Sequence, residues 1–292
     1  MYLSCFKVAL LFKGYYMNHS LIELLDRVGL SPQSSLQPLT GGDSAATYRL
    51  HTREGDVVVK SDHPDRLAGE ADGLKALASA NSGLVVPAVL AQQGEWLVIE
   101  ALESVPRREG DEAALGEGLR KLHSVTGEEH GWSSDNACGK TPQPNMPLQD
   151  GRIFQRKRRL LPLINACYGK GLLDNALRQR LEALAYGLES WLPDASPSLV
   201  HGDLWSGNVL FTPQGPAIID PAVYRHFSEV DFAMLTLFGS PVDAFFEAYW
   251  NGSLPDDWPR REALFQLYPL LNHLFLFGGS YRAMLERTLT KL

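Results

Sequence analysis

The sequence predicts an α+β fold, with a small β-rich lobe over residues 1–101 and a larger α-helical lobe over 102–292. Two observations set that division. Between 37 and 101, β-branched runs and Gly-marked turns surround a single helical stretch, whereas beyond Leu102 the apolar residues recur mainly at helical spacing. A third observation places chemistry on the second lobe. The stretch SLVHGDLWSGNVLF, residues 198–211, sets His201, Asp203 and Asn208 on one short turn between two apolar runs.

The elements follow in order. The opening MYLSCFKVALLFKGYYMNHS is apolar but broken by Lys7 and Lys13, too short to span a membrane and without a small-residue cleavage site. Residues 1–16 are expected to be an over-long translation start or a loosely attached arm. From Met17, Leu21, Leu24, Leu25 and Val28 share a helical face. LTGGDSAATYRLHTREGDVVVKSD then shows a Gly-Gly turn, a return strand, a turn at Glu54-Gly55-Asp56 and the run Val57-Val58-Val59 ending at Lys60, which reads as a hairpin followed by a third strand. Leu67, Ala71, Leu74 and Leu77 predict a helix from near Pro64 to about Asn81. VPAVLAQQGEWLVIEAL supplies two more strands, and Glu100 to Glu103 a short hinge. Helices are expected over 109–124, 150–169 and 174–191, with several more from Glu229 onward. The longest irregular segment is SSDNACGKTPQPNMPLQ, whose length suits a binding role or a mobile cover.

Composition narrows the classes. The 292 residues are 45% hydrophobic and 21% charged, enough for one large or two modest cores. A net charge of −7 argues against nucleic acid or an anionic membrane as the main partner, because both attract basic faces. A cationic or neutral substrate fits better. Cys5, Cys138 and Cys167 show no C-x-x-C spacing, so neither a disulfide framework nor a zinc site is expected, and a reducing cytoplasm is the natural location.

An Asp followed five residues later by an Asn is the spacing of a kinase catalytic loop, in which the Asp accepts the proton of the attacking hydroxyl and the Asn holds magnesium. The competing reading is a polar turn whose Asp203 and Asn208 satisfy backbone groups. Downstream, GPAIIDPAVY reads as a buried strand ending in Asp220. A carboxylate there suits magnesium, which takes hard oxygen ligands and commonly only one or two carboxylates. In the first lobe, Gly41, Gly42, Asp43 and Ser44 would let backbone approach the phosphates, although a Gly-Gly turn also arises for local reasons. Lys60 would neutralise phosphate charge and Glu70 would orient it, with Glu100 and Leu102 at the hinge completing the nucleotide set. His201 is expected to brace the turn, and Asp231 to cap a helix or brace the same turn.

LVHGDLWSGNVLF, IIDPAVY, SEVDFAMLTLFG and LLNHLFLFGGSY resemble the fructosamine kinase (ketosamine-3-kinase) family, a branch of the protein-kinase-like two-lobe fold shared with aminoglycoside phosphotransferases. The likeness runs upstream through GGDSAATYRL, VVVKSD, GEADGL, VPAVL and LRKLHSVTGEEHGWSSDNACGKTPQPN, and so spans about 39–282. H-G-D-L-W-x-G-N together with GKTPQPN is more specific than H-G-D alone.

The resemblance implies ATP- and Mg2+-dependent phosphorylation of the sugar 3-hydroxyl of fructosamines or ribulosamines, free or on proteins. Loss of the unstable product's sugar then amounts to deglycation. It implies Asp203 as base, Asn208 and Asp220 as metal ligands, and Lys60 with Glu70 at the phosphates. Trp205 would stack on the sugar or its carrier, with lobe packing as its alternative role. Tyr224, His273 and Phe277 are weaker candidates of the same kind, and Glu229 or Asp231 could meet the ketosamine amine. Three departures from the family pattern stand out: Ser44-Ala45-Ala46 in the glycine loop, Phe227-Ser228-Glu229 where relatives often read D-R-E or H-R-E, and no glycine-loop cysteine.

The expected partners are ketosamine small molecules or glycated proteins, with no nucleic acid, no membrane and a monomeric state. The rivals are a same-fold kinase for an aminoglycoside, choline or homoserine, and a pseudokinase-like module that holds nucleotide without transfer. A metallohydrolase would need further His/Asp clusters that the chain lacks.

Overall fold

The computed structural model describes residues 17–39, 45–252 and 254–292. The opening segment 1–16 and the turn carrying Gly41, Gly42, Asp43 and Ser44 therefore lie outside the described residues. The chain divides into two compact units, the smaller comprising residues to Leu67 with Val89–Ala101, the larger comprising Ala68–Ala88 with Leu102–Leu292.

The smaller unit begins with helix α1, His19–Arg27, whose N-cap Asn18 accepts the Leu21 N–H and whose Leu21, Leu24 and Leu25 are buried at the predicted spacing. Five antiparallel strands follow: β1 Gln37–Pro38, β2 Ala46–Thr52, β3 Gly55–Ser61, then β4 Val89–Gln93 and β5 Trp96–Glu100, in sheet order β1-β2-β3-β5-β4. The β2–β3 hairpin closes at Thr52 opposite Gly55 and runs to Lys60 opposite Thr47. Alternation sends Val57 and Val59 inward onto Leu50, Trp96 and Val98, and this shared apolar face is what α1 covers.

Helix α2, Pro64–Ser79, lies between β3 and β4 in the chain. Its Leu77 packs with Leu115, Leu119 and Leu122, so Ala68–Ala88 group with the helical unit, whereas the sequence division keeps all of 1–101 together. Two glycines make that packing possible. A Cβ on Gly69 would stand 2.9 Å from the Asn136 Cβ, and one on Gly73 3.0 Å from the Val223 methyl.

In the larger unit, α3 Asp111–His123 packs on a later helix, α8 Asp243–Trp250. The segment expected to be irregular contains a short hairpin, β6 Asn136–Cys138 and β7 Thr141–Gln143. Strands of three residues are too short for alternation to show in the sequence. The helix expected over 150–169 is present but not uniform: α4 Gly151–Phe154, capped by Asp150, passes through a π-helical turn at Gln155–Leu160 into α5 Leu161–Gly169. Helix α6 is Asn175–Tyr186. Two small antiparallel pairs come next, β8 Ser198–Val200 with β11 Tyr224–His226, and β9 Val209–Thr212 with β10 Gly215–Ile218. Helices α7 Glu229–Leu235, α8, α9 Trp258–Phe277 and α10 Arg282–Leu289 complete the unit. Its main core joins α5, α6, α9 and α10 through Ile164, Leu181, Leu271 and Leu285. Among the described residues no helix is long and apolar enough to cross a membrane.

Candidate active site

Strand β8 ends at Val200, and the chain turns at once. Gly202 has φ +82°, and a Cβ there would stand 2.1 Å from the Ala222 carbonyl oxygen, so this step of the turn requires glycine. A 3₁₀ turn at Ser206–Asn208 delivers Asn208 to the start of β9. At the end of β10 the backbone places Asp220 at φ +55°, a left-handed conformation uncommon for a residue with a side chain and concentrated at functional sites.

Backbone bonds stitch the two turns together. The Ile219 N–H donates to Asn208 O at 3.0 Å and the Ala222 N–H to His201 O at 2.9 Å. The buried His201 ring bridges them, Nε2–H donating to Ile219 O at 2.9 Å while Nδ1 accepts the Asp203 N–H at 3.3 Å. Asn208 Nδ2 donates to Asp203 O at 2.9 Å. The three residues read from spacing alone, Asp203, Asn208 and Asp220, are thus brought together by a shared backbone frame.

Asp231, on α7 and fully buried, holds that frame from below. Oδ2 accepts the His201 N–H at 2.7 Å and meets His123 Nε2 at 3.0 Å, while Oδ1 accepts the Gly202 N–H at 2.9 Å. Burial alone would raise its pKa. The hydrogen bond and charge of His123, the charge of His201 and the Gly202 N–H outweigh burial and hold it below the usual range.

Asp203 stands in the opposite condition. Burial of its carboxyl pushes the pKa up to about 7, against a lowering hydrogen bond from the Cys138 thiol, and the charges of Asp220 and Asp231 push further upward. The thiol is a donor here because burial and the Asp203 charge hold it protonated. A carboxyl balanced near neutrality can exchange a proton at working pH.

Asp203 opens into a pocket of about 390 Å³, its solvent mouth included, whose described lining residues belong to the larger unit. Tyr224, Phe265 and Tyr268 give it aromatic walls, and Gln155, Asn272 and His273 give it polar groups. Aromatic faces beside a few placed polar groups suit a small polar ligand with apolar faces, such as a sugar.

The other expected residues are placed as follows. Tyr224 and His273 line the pocket, and the His273 ring donates Nδ1–H to Pro269 O at 2.7 Å. Trp205 is not among the lining residues, and its ring lies over Gly207, where a Cβ would stand 2.3 Å from it. Lys60 is buried on β3 in the smaller unit, Glu70 sits on α2 in the larger, Glu100 ends β5 exposed, and Leu102 follows, half-buried. Glu229 forms an ion pair with Arg261, and Phe277 is exposed. In the 133–149 segment, Asn136 donates to Val223 O, Asn145 to Asn136 Oδ1, and Arg159 to Asn145 Oδ1, so the segment forms a cross-braced wall, with Lys140 exposed.

Sequence reasoning passed over Cys138, Gln155, Tyr268 and Asn272 as pocket residues. They come from β6, the π-helical turn and α9, distant in the chain, and none carries a local signal of its role. Asn208 and Asp220 offer an amide oxygen and a carboxylate from the two stitched turns. No cluster of three His, Cys, Asp or Glu among the described residues could hold a metal. The pair therefore suits a hard cation that draws its remaining ligands from phosphate and water.

The chain is similar to known proteins over most of its length. The family model described as fructosamine kinase matches residues 17–292. The Escherichia coli (strain K12) protein named "Probable ketoamine kinase YniA" is 34% identical over 263 residues, 87% of this chain and 91% of that protein. The crystal structure of a "putative fructosamine-3-kinase" from Thermobifida fusca YX-ER1 superposes with a TM-score of 0.85 at 30% identity, covering 94% of this chain and 99% of the other. An ADP-bound aminoglycoside phosphotransferase, 18% identical with a TM-score of 0.61 over 94% and 96% of the two chains, shares the fold.

Proposed function

Because the chain belongs to the fructosamine kinase family and is a phosphotransferase acting on a sugar hydroxyl, we propose that it transfers the γ-phosphoryl group of ATP to the 3-hydroxyl of a ketosamine. The acceptor is a fructosamine or ribulosamine on a small amine or a protein lysine. The observation that carries this reading is the Asp203 carboxyl, poised near neutrality in a pocket with aromatic walls and a few polar groups.

Asp203 receives the acceptor hydroxyl and takes its proton as the oxygen attacks the γ-phosphorus, and ADP leaves with the bond it held. Asp231 contributes by rigidity: the turn that carries Asp203 hangs from its two oxygens. Tyr224, Tyr268 and Asn272 orient the sugar in the pocket, and Trp205, beside Gly207, offers a further flat face to the sugar or its carrier. Asn208 and Asp220 would hold Mg2+, which neutralises phosphate charge when bound. On the nucleotide side the proposal assigns Gly41, Gly42, Asp43, Ser44, Lys60, Glu70, Glu100 and Leu102. Loss of the sugar from the unstable 3-phosphate would make the protein a deglycating enzyme.

ADP release measured with fructose-, ribulose- and erythrulose-amines beside kanamycin and choline tests the proposal. A ketosamine should give the highest kcat/KM, with phosphorus NMR placing the product phosphate on the 3-oxygen. Preference for kanamycin or choline overturns it.

A further inference from the structure

Behind the pocket wall lies a chain of polar groups that the proposed mechanism does not use. Gln155, on the π-helical turn, lines the pocket and is 1% exposed. Its amide meets His226 Nε2 at 2.9 Å, through the end placed as Oε1. His226 Nδ1 faces His130 Nδ1 at 3.0 Å, and His130 Nε2 faces Ala195 O at 3.2 Å. The two rings are buried and meet nearly edge to face.

Protons can be counted along this chain. A backbone carbonyl only accepts, so His130 must carry its proton on Nε2 to bond Ala195 O. A neutral His130 then has a bare Nδ1, which accepts Nδ1–H from His226. A neutral His226 is left bare at Nε2, and that nitrogen needs a donor. With Oε1 against it, three links would share two protons, and one link would bring two acceptors together. Turning the amide, whose ends are alike in size, lets the Gln155 Nε2–H donate to His226 Nε2 and satisfies every link.

The remaining alternative is an imidazolium, and the surroundings oppose it. Both rings are buried, which favours the neutral forms; His130 and Arg159 bring further positive charge toward His226. The Arg159 guanidinium is itself fully buried and has no carboxylate partner among the described residues, resting on Pro144 O, Asn145 Oδ1 and the Tyr224 ring. Asp150 and Asp194 act on His130 in the other direction but stand toward the surface.

We infer that Gln155 is a substrate-binding residue that presents its amide oxygen to the pocket, as an acceptor for an N–H or O–H donor of the substrate, with its polarity set by the His226–His130 chain. On the ketosamine reading, on which this choice of ligand rests, the protonated secondary amine beside the sugar is the donor of that kind. A ligand offering only acceptors at this point would leave the Gln155 oxygen buried and unpaired, which is costly.

Long-range proton–nitrogen NMR on the wild-type protein at pH 7.5 reads the ring tautomers directly. The expected result is Nδ1–H on His226 and Nε2–H on His130, both neutral. An Nε2–H tautomer or an imidazolium at His226 overturns the inference. Kinetics supply a second reading. Gln155→Met should raise KM for a fructosamine roughly tenfold, the scale for losing one hydrogen bond to a charged group. A folded Gln155→Met protein with wild-type KM overturns the contact. Absence of ketosamine turnover in the wild-type protein would fail the substrate reading, while the tautomer assignment still decides the polarity of Gln155.

Discussion

Asp203 and Asp231 serve the same turn, and their surroundings drive them apart. Asp231 accepts from two backbone N–H groups and pairs with His123, so it is held ionised and immobile. Asp203 is raised by burial, has the Cys138 thiol as its side-chain donor and two carboxylates nearby, and its pKa reaches about 7. One carboxylate is framework and the other is reagent. The difference comes from how many donors the fold aims at each, since a saturated carboxylate has no lone pair to spend on a substrate proton.

The strongest attempt to break this contrast is Asp203→Asn. Turnover should fall by roughly two to four orders of magnitude, the usual scale for removing a general base. Stability should move the other way. The unfolded chain ionises this group near 3.8, while the folded protein keeps the proton until about 7. Stability therefore falls as pH rises through that window, and at pH 7 the charge is a cost that Asn removes. Calorimetry of the metal-free protein should show a higher Tm. A lower Tm, or near-normal turnover, would put Asp203 back among the framework residues.

Asp231→Ala should do the reverse. Removing one partner from this buried set should cost about 3–5 kcal/mol of stability, and turnover should fall with it as the turn loosens. Denaturant unfolding and kinetics on one preparation check both. Asp231→Asn, which keeps an acceptor, should be milder, and an Asp231→Ala protein of wild-type stability would end the framework role.

Asp220 sharpens the comparison, because it combines reagent chemistry with a strained backbone. Asp220→Gly suits φ +55° and should leave the Tm of the metal-free protein unchanged or slightly higher. Activity should fall, with partial recovery at raised Mg2+ if Asn208 holds the other contact. Activity indifferent to divalent metal would remove this pair from the scheme.

The smallest effect is in the pH dependence of stability. Folded His130 and His226 both have pKa values below the ordinary 6.5, so the unfolded chain binds more protons once pH drops under that value. In Asp203→Asn, which removes the opposing Asp203 titration from the same window, stability should decline from pH 7 to pH 5. Asp231, also lowered, contributes stability that is complete above 3.8 and lost only as pH falls through its folded value. Thermal melts of Asp203→Asn, with and without His226→Asn, between pH 7 and pH 5 isolate the imidazole window. A flat Asp203→Asn profile would mean that the imidazoles are not held neutral.

Much of this was legible in the chain because the signals were local. Asp203 and Asn208 are five residues apart on one turn, and Asp220 closes the next strand, so spacing alone brought out the triad. The β-branched strand run Val57-Val58-Val59 and the helical face of Leu21, Leu24 and Leu25 were equally local. The hairpin at Asn136–Cys138 and Thr141–Gln143 was not, since its strands are shorter than one period of any pattern. Nor was the π-helical turn at Gln155–Leu160, because a one-residue change of helical pitch leaves no mark in the spacing of apolar residues.

The sequence by itself determined the α+β class, the order of the longer strands and helices and the family, because propensity, period and motif are carried by neighbours in the chain. Tertiary structure alone decided which carboxylate would be the base and which the brace. It also decided that Cys138, Gln155, Tyr268 and Asn272 share a pocket with Asp203, and that two histidines 96 residues apart set the polarity of one amide. Those outcomes depend on burial, on the donors aimed at each oxygen and on charges drawn in from remote segments. None of these exists until the chain is folded.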